Sequence, residues 1–372
     1  MAAVPHPHLA VALEGAGAHP AAWREPDAKP AELVTARYWA DLVAEAESGL
    51  LDFVTLADSL GPPPDDTGRV HAALDAVLVA ARIAPHTSRI GLVPSATATH
   101  TEPFHLSKAI ATVDYVSEGR AGIQVQVSAD PAEAAQFGRR RFPDEAAGLH
   151  DEAADYVEVL RGLWDSWEDG AEIRDVATGR FIDRDELHYL GFAGKWFSVK
   201  GPSITPRPPQ GQPVVATAAV DDDSFRLAGR SADIAFVTPH DIDEIPAVVD
   251  RVRAEAAERT VLPIADLVVF LDETAATAAD RKARLDERAE LVTGTAVFTG
   301  TPAALAEHLL GWHRAGLAGF RLWPGALPHD LTAVTTGLVP ELRVRDAFRE
   351  TYEATTLRGL LGLDRPANRF AA

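Results

Sequence analysis

Short apolar runs of strand length alternate with longer helix-like segments along nearly the whole chain. The apolar residues of the longer segments recur three to four positions apart, which is the spacing of an amphipathic helix. Repeated strand–helix units predict a parallel sheet, and eight of them favour a closed (β/α)₈ TIM barrel over an open doubly wound sheet. The predicted strands span residues 9–13, 51–57, 90–94, 121–127, 214–219, 233–237, 262–271 and 320–323.

Most of these strands precede a predicted helix. Thr301 followed by Pro302 is a typical helix start, because threonine caps the first free N–H groups and proline fits the first turn. Gly49 is a typical helix end. The predicted helices span residues 31–49, 72–83, 104–116, 150–167, 224–231, 245–258 and 302–315.

One segment, residues 168–212, interrupts this rhythm and is rich in Gly, Pro, Asp and Arg. Connections of this length are usually functional or disordered. In a barrel the segment is either a lid over the mouth or a packed excursion without a role in turnover, and the sequence leaves both open. We expect one domain over residues 1–372. No strand is followed by a glycine-rich dinucleotide or phosphate-loop motif, so neither site is indicated.

Charge and cysteine content exclude several classes of function. The formal net charge is −20, which argues against a nucleic-acid partner because phosphates would be repelled. The chain has no cysteine, which excludes disulfides, thiolate metal sites and cysteine nucleophiles. The N-terminus lacks a basic signal-peptide region, and no apolar run approaches the ~20 residues that span a bilayer. We therefore expect a cytoplasmic protein without a membrane partner.

Several segments resemble one family of enzymes. Residues 339–369 read VPELRVRDAFRETYEATTLRGLLGLDRPANR, residues 89–122 read RIGLVPSATATHTEPFHLSKAIATVDYVSEGRAG, and residues 194–215 read GKWFSVKGPSITPRPPQGQPVV. Together with residues 50–60 and 155–171, they resemble the luciferase-like flavin monooxygenases. The resemblance is to the branch with nitrilotriacetate monooxygenase, dibenzothiophene-sulfone monooxygenase and the larger subunit of pristinamycin IIA synthase.

The resemblance implies a (β/α)₈ barrel whose C-terminal tail, residues 339–372, packs on the barrel. It also implies reduced FMN (FMNH₂) as cofactor, supplied by a separate flavin reductase, and O₂ as co-substrate. Oxygen adds to the reduced flavin to give a C4a-peroxide, which oxygenates a small organic substrate. The family often forms homodimers. Flavin chemistry needs no metal in the protein, and the sequence suggests none.

Candidate site residues follow the second and third strands. Asp58 corresponds to the family's flavin-contacting Asp, although a loop or cap carboxylate is the alternative. Thr97 and Thr99 are small hydroxyl residues that can contact a ring or satisfy loop backbone groups. His100, where relatives usually have Tyr, is the candidate catalytic residue in the pocket. Its spacing to His105 around Glu102 is too irregular to indicate a metal site.

The remaining candidates follow the fourth and fifth strands. Gln124 stands where relatives have Asn, and Ser128 matches the family's Ser. His150 corresponds to a His or Tyr near the flavin phosphate, where a helix N-terminus suits an anion; an ordinary helix start is the alternative. Relatives hold the phosphate with a Gly-Ala-Ser turn, which here becomes Ala-Val-Asp ending at Asp221. Ser224 is the residue that can partly replace the lost contacts.

The sequence departs from the family at the cofactor positions. The relatives' Trp, Asn and Thr after the fourth strand are replaced, and Asp221, Asp222 and Asp223 stand where a phosphate is expected. Carboxylates there would repel a phosphate dianion. Three interpretations remain open: an FMNH₂-dependent monooxygenase with an altered pocket, a flavin-binding-deficient barrel that acts as a partner subunit or binding protein, and a deazaflavin-dependent oxidoreductase.

Overall fold

The computed structural model describes residues 6–62, 66–70, 73–142 and 146–371. Eight parallel strands close into a barrel. The seventh strand pairs with the sixth and the eighth, and the eighth pairs with the first. This confirms the predicted TIM barrel. In barrel order the strands are β1 (His8–Leu13), β2 (Phe53–Leu56), β3 (Gly91–Thr97), β4 (Gly122–Gln126), β7 (Val214–Ala218), β8 (Ile234–Val237), β9 (Leu262–Leu271) and β11 (Gly319–Pro324).

Three further strands lie outside the closed barrel. They are β5 (Phe192–Ala193), β6 (Ser198–Val199) and β10 (Val297–Gly300). Strands β5 and β6 form a short hairpin inside the segment 168–212. Strand β10 pairs with the last four residues of β9. These residues lie beyond the part of β9 that pairs with β8. The sequence did not reveal β10, because the strand is only four residues long and of these only Gly300 is buried.

Helices cover the outside of the barrel, and the described chain contains α1 (Ala36–Ser48), α2 (Ala76–Ile83), α3 (Pro103–Val116), α4 (Pro131–Phe137), α5 (Leu149–Trp164), α6 (Asp222–Ser231), α7 (Ile245–Ala256), α8 (Ala275–Asp286), α9 (Pro302–Arg314), α10 (His329–Ala333), α11 (Val339–Val344) and α12 (Leu357–Leu360). Among the described residues, none of these helices has the length and apolar character needed to cross a bilayer.

Capping residues set the helix starts. The side chain of Thr301 accepts a hydrogen bond from the backbone N–H of Ala304, as predicted. Helix α1 begins later than the predicted residue 31, because the Thr35 side chain accepts from the N–H of Tyr38 and fixes the start there. Helix α8 was missed because only Ala278, Arg281 and Leu285 of its twelve residues are buried, which gives a weak apolar stripe.

A charged layer crosses the centre of the barrel. Arg321 of β11 donates to both carboxylate oxygens of Asp266 on β9, at 2.7 Å each, and to the side-chain oxygen of Gln124 on β4, also at 2.7 Å. The Arg321 guanidinium lies 3.5 Å from the ring centre of Phe236 on β8. Bidentate pairing and a facing ring compensate the cost of burying this cation. The barrel interior is therefore filled and offers no channel.

The C-terminal segment closes the end of the barrel where the strands begin. Leu357 is fully buried and packs with Phe53, Val93 and Ile234. A Cβ atom on Gly91, the first residue of β3, would meet Leu357 Cδ1 at 2.5 Å, so only glycine leaves room for it. The opposite end, where the strands finish, is left for the site.

Candidate functional site

Two cavities open at the carboxyl ends of the barrel strands, where barrel enzymes place their active sites. The first, here called the β1–β2 cavity, has a volume of about 420 Å³ and is lined by loops after β1 and β2. The second, here called the β3–α5 cavity, has a volume of about 350 Å³ and lies between the loop after β3, helix α5 and the β5–β6 hairpin. Both fall within the range of small-molecule sites.

The β1–β2 cavity combines indole rings with two carboxyl groups. The Trp23 Nε1–H donates to the carbonyl of Gly68 at 2.9 Å, which fixes one wall, and Trp39 forms another. Glu14 follows directly after β1, and its side chain is exposed within the cavity. It has no hydrogen-bond or ion-pair partner among the described residues, and the enclosing protein raises its pKa. Glu14 was not among the predicted site residues, although its place after a barrel strand was a usable signal.

Asp58 follows β2 and lines the same cavity. Its carboxylate accepts hydrogen bonds from the backbone N–H of Ser59 at 2.8 Å and of Ala76, the first residue of α2, at 3.0 Å. Burial raises its pKa in spite of these bonds. Asp58 therefore anchors the start of α2 and forms part of the cavity wall at the same time.

His100 is the central polar residue of the β3–α5 cavity. Its ring stacks on Phe137 with 4.9 Å between ring centres and an angle of 3° between planes. The residue is only 7 % exposed, and its Nε2 atom has no hydrogen-bond partner within the described residues. Burial lowers its pKa below the usual 6.5, so the ring is neutral at pH 7. A buried nitrogen without a partner is costly and marks a position that a ligand can satisfy.

Hydroxyl groups organise the loop beside His100. Thr99 Oγ1 accepts from the backbone N–H of Ser128 at 3.0 Å, which ties the loop after β3 to the loop after β4. The Thr101 hydroxyl donates to the carbonyl of Thr97 at 2.9 Å and also lies 2.8 Å from the Tyr156 hydroxyl of α5. These bonds connect the backbone of Thr97 and Ser128 to the hydroxyl-bearing loop whose Thr99 lines the cavity.

The cations of this cavity are already balanced. Arg140 binds the Glu152 carboxylate through two nitrogens, one of them at 2.8 Å, and Arg139 pairs with Glu102. The tip of the β5–β6 hairpin adds Trp196 to the wall. The cavity thus joins aromatic surface to a set of paired charges, and it carries no net positive charge from these four side chains.

Helix α6 begins with a closed capping box. The Asp221 carboxylate accepts from the N–H of Ser224 at 2.8 Å. The Ser224 hydroxyl oxygen in turn accepts from the N–H groups of Val220 and Asp221, each at 2.9 Å. The backbone N–H groups of Val220, Asp221 and Ser224, which a helix start could offer to an anion, are therefore satisfied within the chain.

Charged neighbours surround this helix start. Asp222 pairs with Arg251 and Asp223 pairs with Arg226. Hydrogen bonds from Ser224 lower the pKa of Asp221, and the charge of His150 adds to that effect, so the structure brings His150 close to Asp221. Asp221 is therefore ionised at neutral pH.

The predicted site residues thus form four groups at or below the barrel mouth. Asp58 lies in the β1–β2 cavity. Thr99 and His100 line the β3–α5 cavity, whereas Thr97 and Ser128 are joined to this loop through backbone hydrogen bonds without lining the cavity. His150, Asp221 and Ser224 meet at the start of α6. Gln124 lies deeper, where its side-chain oxygen binds Arg321. No group of three or more His, Asp or Glu side chains in the described part of the chain is placed to hold a metal ion.

Comparison with known proteins gives one consistent result. A family model described as luciferase-like monooxygenase matches residues 16–288. N-acetyl-S-(2-succino)cysteine monooxygenase of Bacillus subtilis is 31% identical, and the alignment covers 98% of each protein. Nitrilotriacetate monooxygenase component A of Aminobacter aminovorans is 29% identical, again over 98% of each.

Solved structures agree with this. An EDTA monooxygenase from Chelativorans sp. BNC1 superposes with a TM-score of 0.86 at 25% identity, covering 97% of this chain and 99% of that one. A long-chain alkane monooxygenase superposes with a TM-score of 0.87 at 22% identity, covering 96% of this chain and 95% of that one, which supports the fold alone.

Proposed function

Because the chain belongs to the luciferase-like monooxygenase family, we propose that it is the oxygenase of a two-component, FMNH₂-dependent system that inserts one atom of O₂ into a small organic substrate. Its full-length relatives are named monooxygenases, so the chain is an enzyme of that flavin-dependent class. The observation that carries the cofactor proposal is the unpaired, buried Nε2 of His100 facing a cavity at the barrel mouth.

The ring end of a flavin fits the residues at the mouth. An isoalloxazine ring is flat, apolar on its faces and polar along one edge, so it needs aromatic walls and a few donors and acceptors. Thr97, Thr99, His100 and Ser128 offer such groups, and Asp58 lies at the neighbouring cavity. When bound, reduced flavin supplies the reaction with O₂, and the protein orients it and limits water.

The phosphate end does not fit the expected place. The start of α6 presents no free backbone donor at Val220, Asp221 or Ser224, and it carries an ionised carboxylate. We therefore assign no phosphate contact to His150, Asp221 or Ser224.

The side chains of this chain have distinct proposed roles. Neutral His100 donates or accepts one hydrogen bond at the ligand and bears no charge at pH 7. Trp23 and Trp39 give the substrate a dry apolar wall in the β1–β2 cavity. Glu14, whose pKa is raised, is suited to hold or pass a proton at that wall. Trp196 at the hairpin tip covers the β3–α5 cavity, which is the proposed contribution of residues 168–212 to the site.

We further propose that a separate reductase supplies the flavin. The chain carries no glycine-rich nicotinamide-binding motif after any strand. One full-length relative is named as component A of its enzyme, which supports a multi-component system.

Anaerobic titration of the purified protein with reduced flavin tests the proposal. We expect saturable binding well below about 1 mM, followed by consumption of O₂ when air is admitted. The His100→Phe variant should bind more weakly, which ties the signal to the β3–α5 cavity. If neither oxidised nor reduced flavin binds, the proposed function is wrong.

A further inference from the structure

We propose that the flavin site of this chain does not select for the terminal phosphate, so that riboflavin binds about as tightly as FMN. This inference rests on the proposed function, because it concerns the same site. It is carried by the start of helix α6, where the chain supplies its own substitute for the contacts that an anion would make.

Hydrogen bonding at the start of α6 occupies most of the backbone donors that a phosphate would need. Helix N-termini bind phosphates because their first N–H groups lack partners inside the helix. Here the N–H groups of Val220 and Asp221 donate to Ser224 Oγ, and the N–H of Ser224 donates to Asp221 Oδ1. The Ser224 hydroxyl therefore takes the acceptor role that a phosphate oxygen would have. A phosphate could bind the N–H groups of Val220, Asp221 and Ser224 only by breaking these hydrogen bonds.

Charge at the same place opposes a dianion. Asp221, Asp222 and Asp223 contribute three carboxylates, and the two guanidinium groups paired with Asp222 and Asp223 offset two of them. Asp221 has no arginine partner among the described residues, so one carboxylate beside the helix start is not offset by a guanidinium group. Val220 also presents an exposed apolar side chain there, 59 % accessible, which offers no donor.

The β3–α5 cavity is no more favourable for a phosphate than the start of α6. Arg139 and Arg140 are the cations of the β3–α5 cavity, and they pair with Glu102 and Glu152. Their charges sum to zero with these carboxylates, and His100 is neutral. A ribityl chain that ends in a hydroxyl loses nothing in such surroundings, whereas a phosphate loses its hydration without gaining an opposite charge.

The test compares the affinities of riboflavin and FMN by quenching of flavin fluorescence at constant pH. We expect dissociation constants within about three-fold of each other. Raising the salt concentration should leave riboflavin unchanged and should slightly tighten FMN, because salt screens repulsion. FMN binding that is more than about ten-fold tighter than riboflavin, or that weakens with salt, would overturn the inference and leave the proposed function intact. Failure of both flavins to bind, in the oxidised and in the anaerobically reduced form, would instead reject the proposed function.

A designed variant gives the converse test. Asp221→Ser with Ser224→Gly removes one carboxylate and frees the backbone N–H groups of residues 220 and 221, while a serine at position 221 remains a good helix cap. We expect FMN to tighten about ten-fold and riboflavin to stay within two-fold. Asp280→Ser, at an exposed position of α8 rather than of α6 or its neighbour α7, makes the same charge change and should alter neither constant. If the double variant gains no FMN affinity, the start of α6 is not where the phosphate approaches, and the inference fails.

Discussion

Carboxylates lie next to the barrel strands at both ends of the barrel, but their surroundings differ. They are buried and ion-paired where the strands begin, and they line a cavity where the strands finish. Asp52 and Asp233 directly precede β2 and β8, and both are buried and held by arginines, Arg349 for the first and Arg161 for the second. Glu14 directly follows β1, Asp58 comes two residues after the end of β2, and both line a cavity instead.

The pKa directions record the same contrast. Burial alone would raise the pKa of Asp52 and Asp233, but His8 and Arg349 at the first and Arg161 and Arg358 at the second lower it. Burial raises the pKa of Glu14, which has no ion-pair partner in the described chain, and of Asp58, which has only backbone donors. The end where the strands begin, here called the closed end, therefore contributes stability. The end where the strands finish, here called the open end, retains unsatisfied groups for a ligand.

Among the predicted effects, the largest is a loss of stability on substitution of Asp233. Asp233→Asn leaves Arg161 and Arg358 buried without their counter-charge, which should lower the free energy of unfolding by about 3–5 kcal/mol. Chemical denaturation measures the change. Asp250→Asn, an exposed carboxylate paired at 3.5 Å with Arg253, should change stability by less than about 0.5 kcal/mol. Equal effects of the two variants would contradict the stabilising role of the closed end.

A second large effect is expected at the plug formed by the C-terminal segment. Leu357→Ala opens a cavity against Phe53 and Val93 and should cost about 3 kcal/mol of stability. Flavin affinity of the folded variant should not change, because the plug lies at the opposite end from the site. Val344→Ala, at a residue 85 % exposed in the same segment, is the control. A loss of flavin binding in folded Leu357→Ala would show that the two ends are coupled.

At the open end, a substitution should change flavin binding without lowering stability. His100→Phe replaces an unpaired buried nitrogen with an apolar ring of similar shape, so stability should stay level or rise slightly. Flavin affinity should fall about ten-fold, which corresponds to roughly 1.4 kcal/mol for one hydrogen bond. The control for ring exchange is His308→Phe, because burial lowers the pKa of His308 as well and its ring centre lies 4.5 Å from that of Trp312. Unchanged affinity in His100→Phe would remove His100 from the site.

The smallest effect is expected at Glu14 and depends on pH. Its folded-state pKa lies above the ordinary 4.5, so its protonated form is favoured by folding. That contribution is complete below about pH 4.5 and is lost as pH rises through the raised pKa. Glu14→Gln should therefore raise Tm more at pH 8 than at pH 4.5, and Glu353→Gln at an exposed position should show no such difference. A pH-independent shift would mean that Glu14 is solvated like a surface residue.

Much of the barrel could be predicted from the chain alone. Strand β9 was placed at its observed limits, because a strand buried on both faces is a continuous apolar run. Strand β10 could not be placed in this way, since it is stabilised by pairing with the free end of β9 rather than by burial. For the site, position after a strand identified Asp58, Thr99 and His100, and the same rule applied fully would have added Glu14.

By itself, the sequence determined the order of strand–helix units, the barrel they close into and the departures from the family at residues 219–223. These follow from local patterns of apolar and turn-forming residues. Only the tertiary structure decided which polar groups have partners. Asp52 and Glu14 are both carboxylates beside a strand, and nothing near them in the chain shows that Arg349, almost three hundred residues beyond Asp52, neutralises one while the other faces a cavity. Hydrogen bonding and charge act through space, so the chemistry of the site depends on contacts between residues far apart in the chain.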